Sequence, residues 1–130
     1  MTHEPISGYV EGIARQVVDA AFHVHNALGP GLLESVYEEC LAYELGLRGV
    51  HSERQKTLPI TYKEKQFEKA FRIDLLVEDA IIVELKSVEA LLPLHDAQLY
   101  TYLRFAEKRL GILINFNTKL IKHGIRRIIR

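Results

Sequence analysis

A layered α/β domain, a mixed β-sheet with helices on its faces, is the architecture this sequence predicts. Three observations predict it. Two helix-period segments come first, at residues 9–28 and 33–47. Strand-like runs follow between residues 50 and 86. A helical segment at residues 95–106 then leads into a near-continuous apolar run at 109–116. Such a run suits a strand buried on both faces, and helices that alternate with strands cover the faces of a sheet.

Composition narrows the classes further. The chain has 130 residues, enough for one domain with a real core. Hydrophobic residues are 48% and charged residues 26%, which excludes a disordered chain. No apolar run approaches the ~18 residues of a membrane span. Residues 1–5 do not have the makeup of a signal peptide, so a cytoplasmic protein is expected. The single cysteine, Cys40, excludes an internal disulfide framework and a cysteine-rich zinc site. Formal net charge is zero, so any nucleic-acid binding must rest on a local basic patch.

Taken in order, the elements justify themselves as follows. In the first helix Ile13, Val17, Ala20, Ala21, Val24 and Leu28 recur at threes and fours, and Ser7 can cap it. His23 and His25 are two apart and cannot share a helix face as ligands, so they read as exposed or satisfied side chains. Gly29-Pro30-Gly31 ends that helix. The second closes near Gly46 or Gly49, with a mixed stripe of Val36, Cys40, Leu41, Tyr43 or Glu44, and Leu47. Glu34 lies in its first turn, where a carboxylate gains from the helix dipole. Tyr37 and Glu38 follow one turn later on the same side.

Residues 50–62 read as an extended run in which Leu58, Ile60 and Tyr62 alternate. Glu53, Arg54, Lys56, Lys63 and Lys65 surround it, as a solvated edge or a phosphate-contacting rim would. Residues 63–66 turn the chain toward Phe67. In the helix at 95–106, His95, Gln98 and Tyr102 fall within about 100° of the circumference. Leu99, Leu103 and Ala106 lie beside them toward the core. Residues 120–129 read as a last edge strand or a short helix with basic exposed positions.

The chemistry concentrates at residues 71–86, two apolar runs around the break Glu78-Asp79. Alternation puts Phe71, Ile73, Leu75 and Val77 on one face of the first run, and Ile81, Val83 and Leu85 on one face of the second. The opposite faces carry Arg72, Asp74 and Leu76, and Ile82, Glu84 and Lys86. Register decides whether the acids meet. A two-residue loop pairs Asp74 with Val83 and separates them. A three-residue loop at 78–80 sets Asp74 across from Glu84 and gathers both apolar faces on one side, so that loop is expected. Two carboxylates placed that way are destabilising unless a cation sits between them. A hard divalent ion, magnesium in the usual case, resolves the conflict. A salt-bridged patch of Asp74, Glu84 and Lys86 is the structural alternative. Ionisable groups amid Leu76 and Ile82 in mid-strand are costly to keep for that purpose alone.

The spacing of Asp74 and Glu84-Leu85-Lys86 resembles the catalytic signature of the PD-(D/E)XK nuclease superfamily. Glu34 supplies an upstream helical acid. Gln98 and Tyr102 match the Gln-x-x-x-Tyr of its exonuclease-like branch. Gly31-Leu32-Leu33-Glu34-Ser35-Val36-Tyr37 looks like the motif of the small bacterial GxxExxY proteins, and residues 113–117 are similar to their Leu-Ile-Asn-Phe-Asn. No motif position departs. The resemblance implies one domain over residues 1–130, with a restriction-endonuclease-like core of helix, three strands, helix and strand. It also implies a metal-dependent nuclease, with DNA the expected substrate. Mg2+ or Mn2+ would be held by Asp74, Glu84 and the Leu85 carbonyl, with Glu34 acting through water. Lys86 would orient or activate the attacking water, and Gln98 and Tyr102 would position the strand or the lysine. His95 is a weaker candidate on that rim. The rival expectation is a catalytically silent module of the same fold that binds nucleic acid or a protein. A homodimer or a protein partner is expected to help with targeting.

Overall fold

The computed structural model describes residues 4–130; residues 1–3, part of the segment read as no signal peptide, lie outside the described residues. Helix α1 spans Gly8–Leu28 and α2 spans Glu34–Leu47. Strands β1 (Ser52–Tyr62), β2 (Lys65–Val77) and β3 (Ile81–Lys86) follow, then α3 (Pro93–Ala106) and β4 (Leu110–Asn115). A 3₁₀ turn at Ile121–Gly124 leads into the last strand, β5 (Ile125–Ile129). The five strands form one sheet in the order β1-β2-β3-β4-β5. Only β3 and β4 run parallel, joined through α3; the other neighbours are antiparallel. The sequence-predicted α/β sandwich, a mixed sheet between helices, is the fold observed. No helix among the described residues is long and apolar enough to cross a membrane.

Two cores explain the layering. On one face α1 and α2 cover Leu75, Val77, Ile81, Val83, Leu85, Ile112 and Ile114. On the other, Leu99 and Leu103 of α3 pack on Ile73, Leu76, Ile82 and Leu113. Strand β4 is buried along its whole length, as its unbroken apolar run requires. Ser7 caps α1 by accepting from the Val10 amide at 3.2 Å, and the stripe from Ile13 to Val24 is the buried one. His25 is buried with its Nε2 2.7 Å from the Thr118 carbonyl, a satisfied histidine.

Two expectations need correction. The buried stripe of α2 is Tyr37, Glu38, Leu41 and Leu45, while Val36, Tyr43 and Leu47 are exposed. Tyr37 sets that rotation. Its ring stacks on Phe116 at 4.5 Å, and its hydroxyl donates to the Gly29 carbonyl (2.6 Å) and accepts from the Leu32 amide (3.1 Å). The second correction concerns β2. Phe71 and Ile73 do not share a face with Leu75 and Val77; they belong to the α3 side. The strand changes face at Asp74, the residue at which its pairing with both neighbours is interrupted.

Tyr37 holds the connection that delivers Glu34, because the loop residues Gly29 and Leu32 both bond to its hydroxyl. Tyr37→Phe keeps the stacked ring and removes only those bonds. We expect a loss of about 1–2 kcal/mol in urea-monitored unfolding; an unchanged midpoint would show that the loop is held by other contacts.

Candidate active site

The hairpin between β2 and β3 has the three-residue loop that the acids require. Val77 pairs with Ile81, Leu76 with Ile82 and Leu75 with Val83. The loop closes by a bond from the Ala80 amide to the Val77 carbonyl at 2.9 Å, with Glu78 and Asp79 both at positive φ. The next step in that register sets Asp74 opposite Glu84, and there the ladder stops. The carboxylates take over the backbone N–H groups that the ladder leaves behind. The Asp74 amide donates to Glu84 Oε2 at 2.8 Å, and the Leu85 amide donates to Asp74 Oδ2 at 2.8 Å.

Strand β3 keeps pairing with β4 past this point, so the sheet forks. The Lys86 carbonyl accepts from the Phe116 amide at 2.9 Å, on the β4 side. Backbone groups alternate sides along a strand. The Leu85 N–H and C=O therefore face the fork, as the bond from Leu85 to Asp74 requires.

Electrostatics sets this fork apart. Glu84 is only 5% exposed. Burial pushes its carboxyl up to about 8, Asp74 adds to the rise, and Lys86 opposes it. Lys86 is half-buried, and the ion pairs among the described residues lie elsewhere, as in Arg54–Glu38 and Lys56–Glu53. The fork is thus a concentration of carboxyl oxygens whose charge the protein leaves incompletely balanced. Hard oxygen donors in that condition fit a hard divalent cation, and such ions need only one or two carboxylates. Among the described residues no three His, Cys, Asp or Glu side chains stand close enough to hold a metal by themselves. The oxygen donors that the fork offers are the Asp74 and Glu84 carboxylates and the Leu85 carbonyl.

The remaining sequence-predicted residues divide. Tyr102 faces the pair: burial raises its phenol, Glu84 and Asp74 raise it further, and a hydrogen bond with Gln98 opposes them. Its ring stacks on Phe71 at 4.7 Å. His95 caps its own helix by accepting from the Leu92 amide at 3.0 Å. Glu34 opens α2 and is exposed, outside the hydrogen bonds that join Asp74 to its neighbours.

Sequence reasoning missed the part played by Glu38 and Gln55. Glu38, one turn beyond Glu34, is buried and accepts from Arg54 Nε at 3.1 Å and from the Gln55 amide. That same amide nitrogen of Gln55 lies 3.3 Å from Asp74 Oδ1. Gln55 thereby ties the α2 acid to the fork, and it does so from a left-handed backbone, φ 52°. The four-residue step from Glu34 to Glu38 was the available signal. Beyond the fork, Asn115 Oδ1 accepts from the Val88 amide (3.1 Å) and its Nδ2 donates to the Val88 carbonyl (3.0 Å). These bonds fix the segment that follows Lys86.

Comparison with protein families matches residues 11–128, nearly the whole chain, to the PD-(D/E)XK nuclease superfamily. The chain belongs to that superfamily. No curated protein and no solved structure matches it. The forked hairpin brings together Asp74 and Glu84, two of the residues whose spacing resembles the signature of that superfamily.

A pH dependence follows from Glu84. Its folded carboxyl titrates above its ordinary value. The metal-free folded state therefore holds a proton that the unfolded chain releases near its usual value of 4.5. Stability should fall as pH rises from about 4.5 to about 8 and level off above that. The slope is at most about 1.4 kcal/mol per pH unit. Thermal melts in chelator across that range should show the fall in the wild type and lose most of it in Glu84→Gln. A slope that survives the substitution would assign it to another group.

Proposed function

We propose that this chain is a divalent-metal-dependent phosphodiesterase that hydrolyses nucleic acid, with DNA as its substrate. The observation that carries the reading is the meeting of Asp74 and Glu84 at a fork in the sheet, with Lys86 next along β3 and Glu84 held above its ordinary pKa. Within the superfamily we assign the chain to the bacterial GxxExxY group on Gly31, Glu34 and Tyr37. Gly31 sits at φ 98° and Tyr37 pins the loop, so two of the three motif residues serve to present the third.

Asp74, Glu84 and the Leu85 carbonyl would hold Mg2+ or Mn2+. When bound, the ion supplies charge neutralisation at the phosphoryl oxygens and help in activating water. The chain's own residues do the rest. Lys86 orients the attacking water and opposes negative charge that develops on the phosphoryl group. Gln98 and Tyr102, one helical turn apart on α3, position the substrate strand against the fork. Gln55 and Glu38 hold Asp74 in place from the β1 side. Glu34 is the outer acid of the site and reaches it through water.

The test is a magnesium and manganese titration with labelled single- and double-stranded DNA and RNA. The wild type should cleave DNA only with metal. Lys86→Ala should lower the rate about 10²–10³-fold, the size of loss expected for one transition-state charge contact. Asp74→Asn should abolish cleavage while leaving the metal-free melting temperature unchanged or raised, because it removes repulsion at Glu84. Absence of cleavage on every substrate, with binding equal in wild type and variants, would instead identify a silent binding module.

A further inference from the structure

We propose that the β1–β2 arm beyond Asp74 is the track on which one strand of nucleic acid lies as it enters the site; this deepens the proposed function and rests on it. Strand β2 pairs with β3 through Leu75, Leu76 and Val77. From Arg72 back to Lys65, β2 pairs with β1 alone, across Thr57 to Tyr62. Residues 61–70 are exposed, and a two-stranded ribbon without a covering layer is marginal by itself. The arm is also rooted at the fork, since Asp74 is where β2 parts from β3.

One face of the arm is suited to a single strand. Leu58, Ile60 and Tyr62 alternate onto one face of β1, and their partners on β2 are Phe71, Phe67 and Lys65, with an irregularity in the register between Leu58 and Ile60. At its root Phe71 stacks on Tyr102, the residue that faces the two acids. Further out, Tyr62 is 64% exposed and Phe67 50%, large for aromatic rings on an isolated ribbon. Lys63 lies 5.4 Å from the centre of the Tyr62 ring at the tip. Residues 57–72 carry Lys63, Lys65, Lys69 and Arg72 against Glu64 and Glu68, in a chain whose formal charge is zero. None of those four cations enters an ion pair among the described residues. Glu68 falls in the irregular stretch between Phe67 and Phe71, and Glu64 is in the turn. Aromatic rings interleaved with lysines are what a single strand requires: rings for bases to stack on, and cations along the phosphates. A duplex keeps its bases stacked and would leave Tyr62 and Phe67 without that use.

The experiment measures binding apart from cleavage. Fluorescence anisotropy of a labelled oligodeoxythymidine is read in EDTA at several salt concentrations. The double variant Tyr62→Ala, Phe67→Ala should weaken binding by at least about thirtyfold, the low end of what two lost base stacks remove. The double variant Lys63→Gln, Lys65→Gln lies at the turn, away from the packed core. It should reduce the slope of log affinity against log salt by about 0.7 per lysine. Wild-type affinity and slope in both variants would overturn the proposal, as would a wild type that does not bind the oligonucleotide. Variants that keep the affinity but turn a dimer into a monomer in light scattering would give the arm to a second copy of the chain, which also overturns it. The same oligonucleotide with magnesium separates the two readings. Arm-dependent binding without cleavage supports the track and sinks the nuclease, whereas cleavage with arm-independent binding does the reverse.

Discussion

A carboxyl group buried against a second carboxyl is the constraint on which this structure turns. Glu84 sits in mid-strand, nearly inaccessible, with Asp74 across the hairpin and no ion pair among the described residues to offset it. Burying such a group has a cost that must be met by protonation or by a cation. The fold cannot remove the conflict by moving either residue. Glu84 is held by the parallel ladder of β3 and β4, and Asp74 by the loop that closes the hairpin.

The fork follows from that conflict. Where two backbone ladders would continue, two side-chain carboxyls accept the amides instead. Strand β2 changes face at the same residue and continues with β1 alone. Three consequences share this origin: a backbone carbonyl at Leu85 directed into the fork, a ribbon that leaves the sheet beside the acids, and space for α3 to bring Tyr102 within range of their charge. On the other side Gln55 and Glu38 brace Asp74, and the strained backbone of Gln55 lies where a positioning residue would need it.

Much of this was legible in the residues. The parity of Leu75, Val77, Ile81, Val83 and Leu85 fixed an odd loop, because only that register gathers them on one side, and the register carried Asp74 to Glu84. The apolar run at β4 marked a central strand. What was not legible depended on tertiary contacts. Alternation alone put Phe71 and Ile73 with Leu75, since a strand read locally has no reason to change face. The α2 stripe was misphased because Tyr37, read as a motif residue, is a core residue whose ring needs Phe116, distant in sequence. Glu38 was placed on the Glu34 side of its helix, and its partners Arg54 and Gln55 explain its burial. The helical acid of the motif, Glu34, was legible as sequence, yet the structure brings its neighbour one turn on into contact with the fork's hydrogen bonds.

The central claim is that the fork between β2 and β3 is a cation site, and an anomalous difference map from crystals grown with Mn2+ tests it most directly. The account predicts a peak coordinated by the Asp74 and Glu84 carboxylates and the Leu85 carbonyl oxygen. A map with no peak there, or with manganese held only elsewhere on the chain, would contradict it.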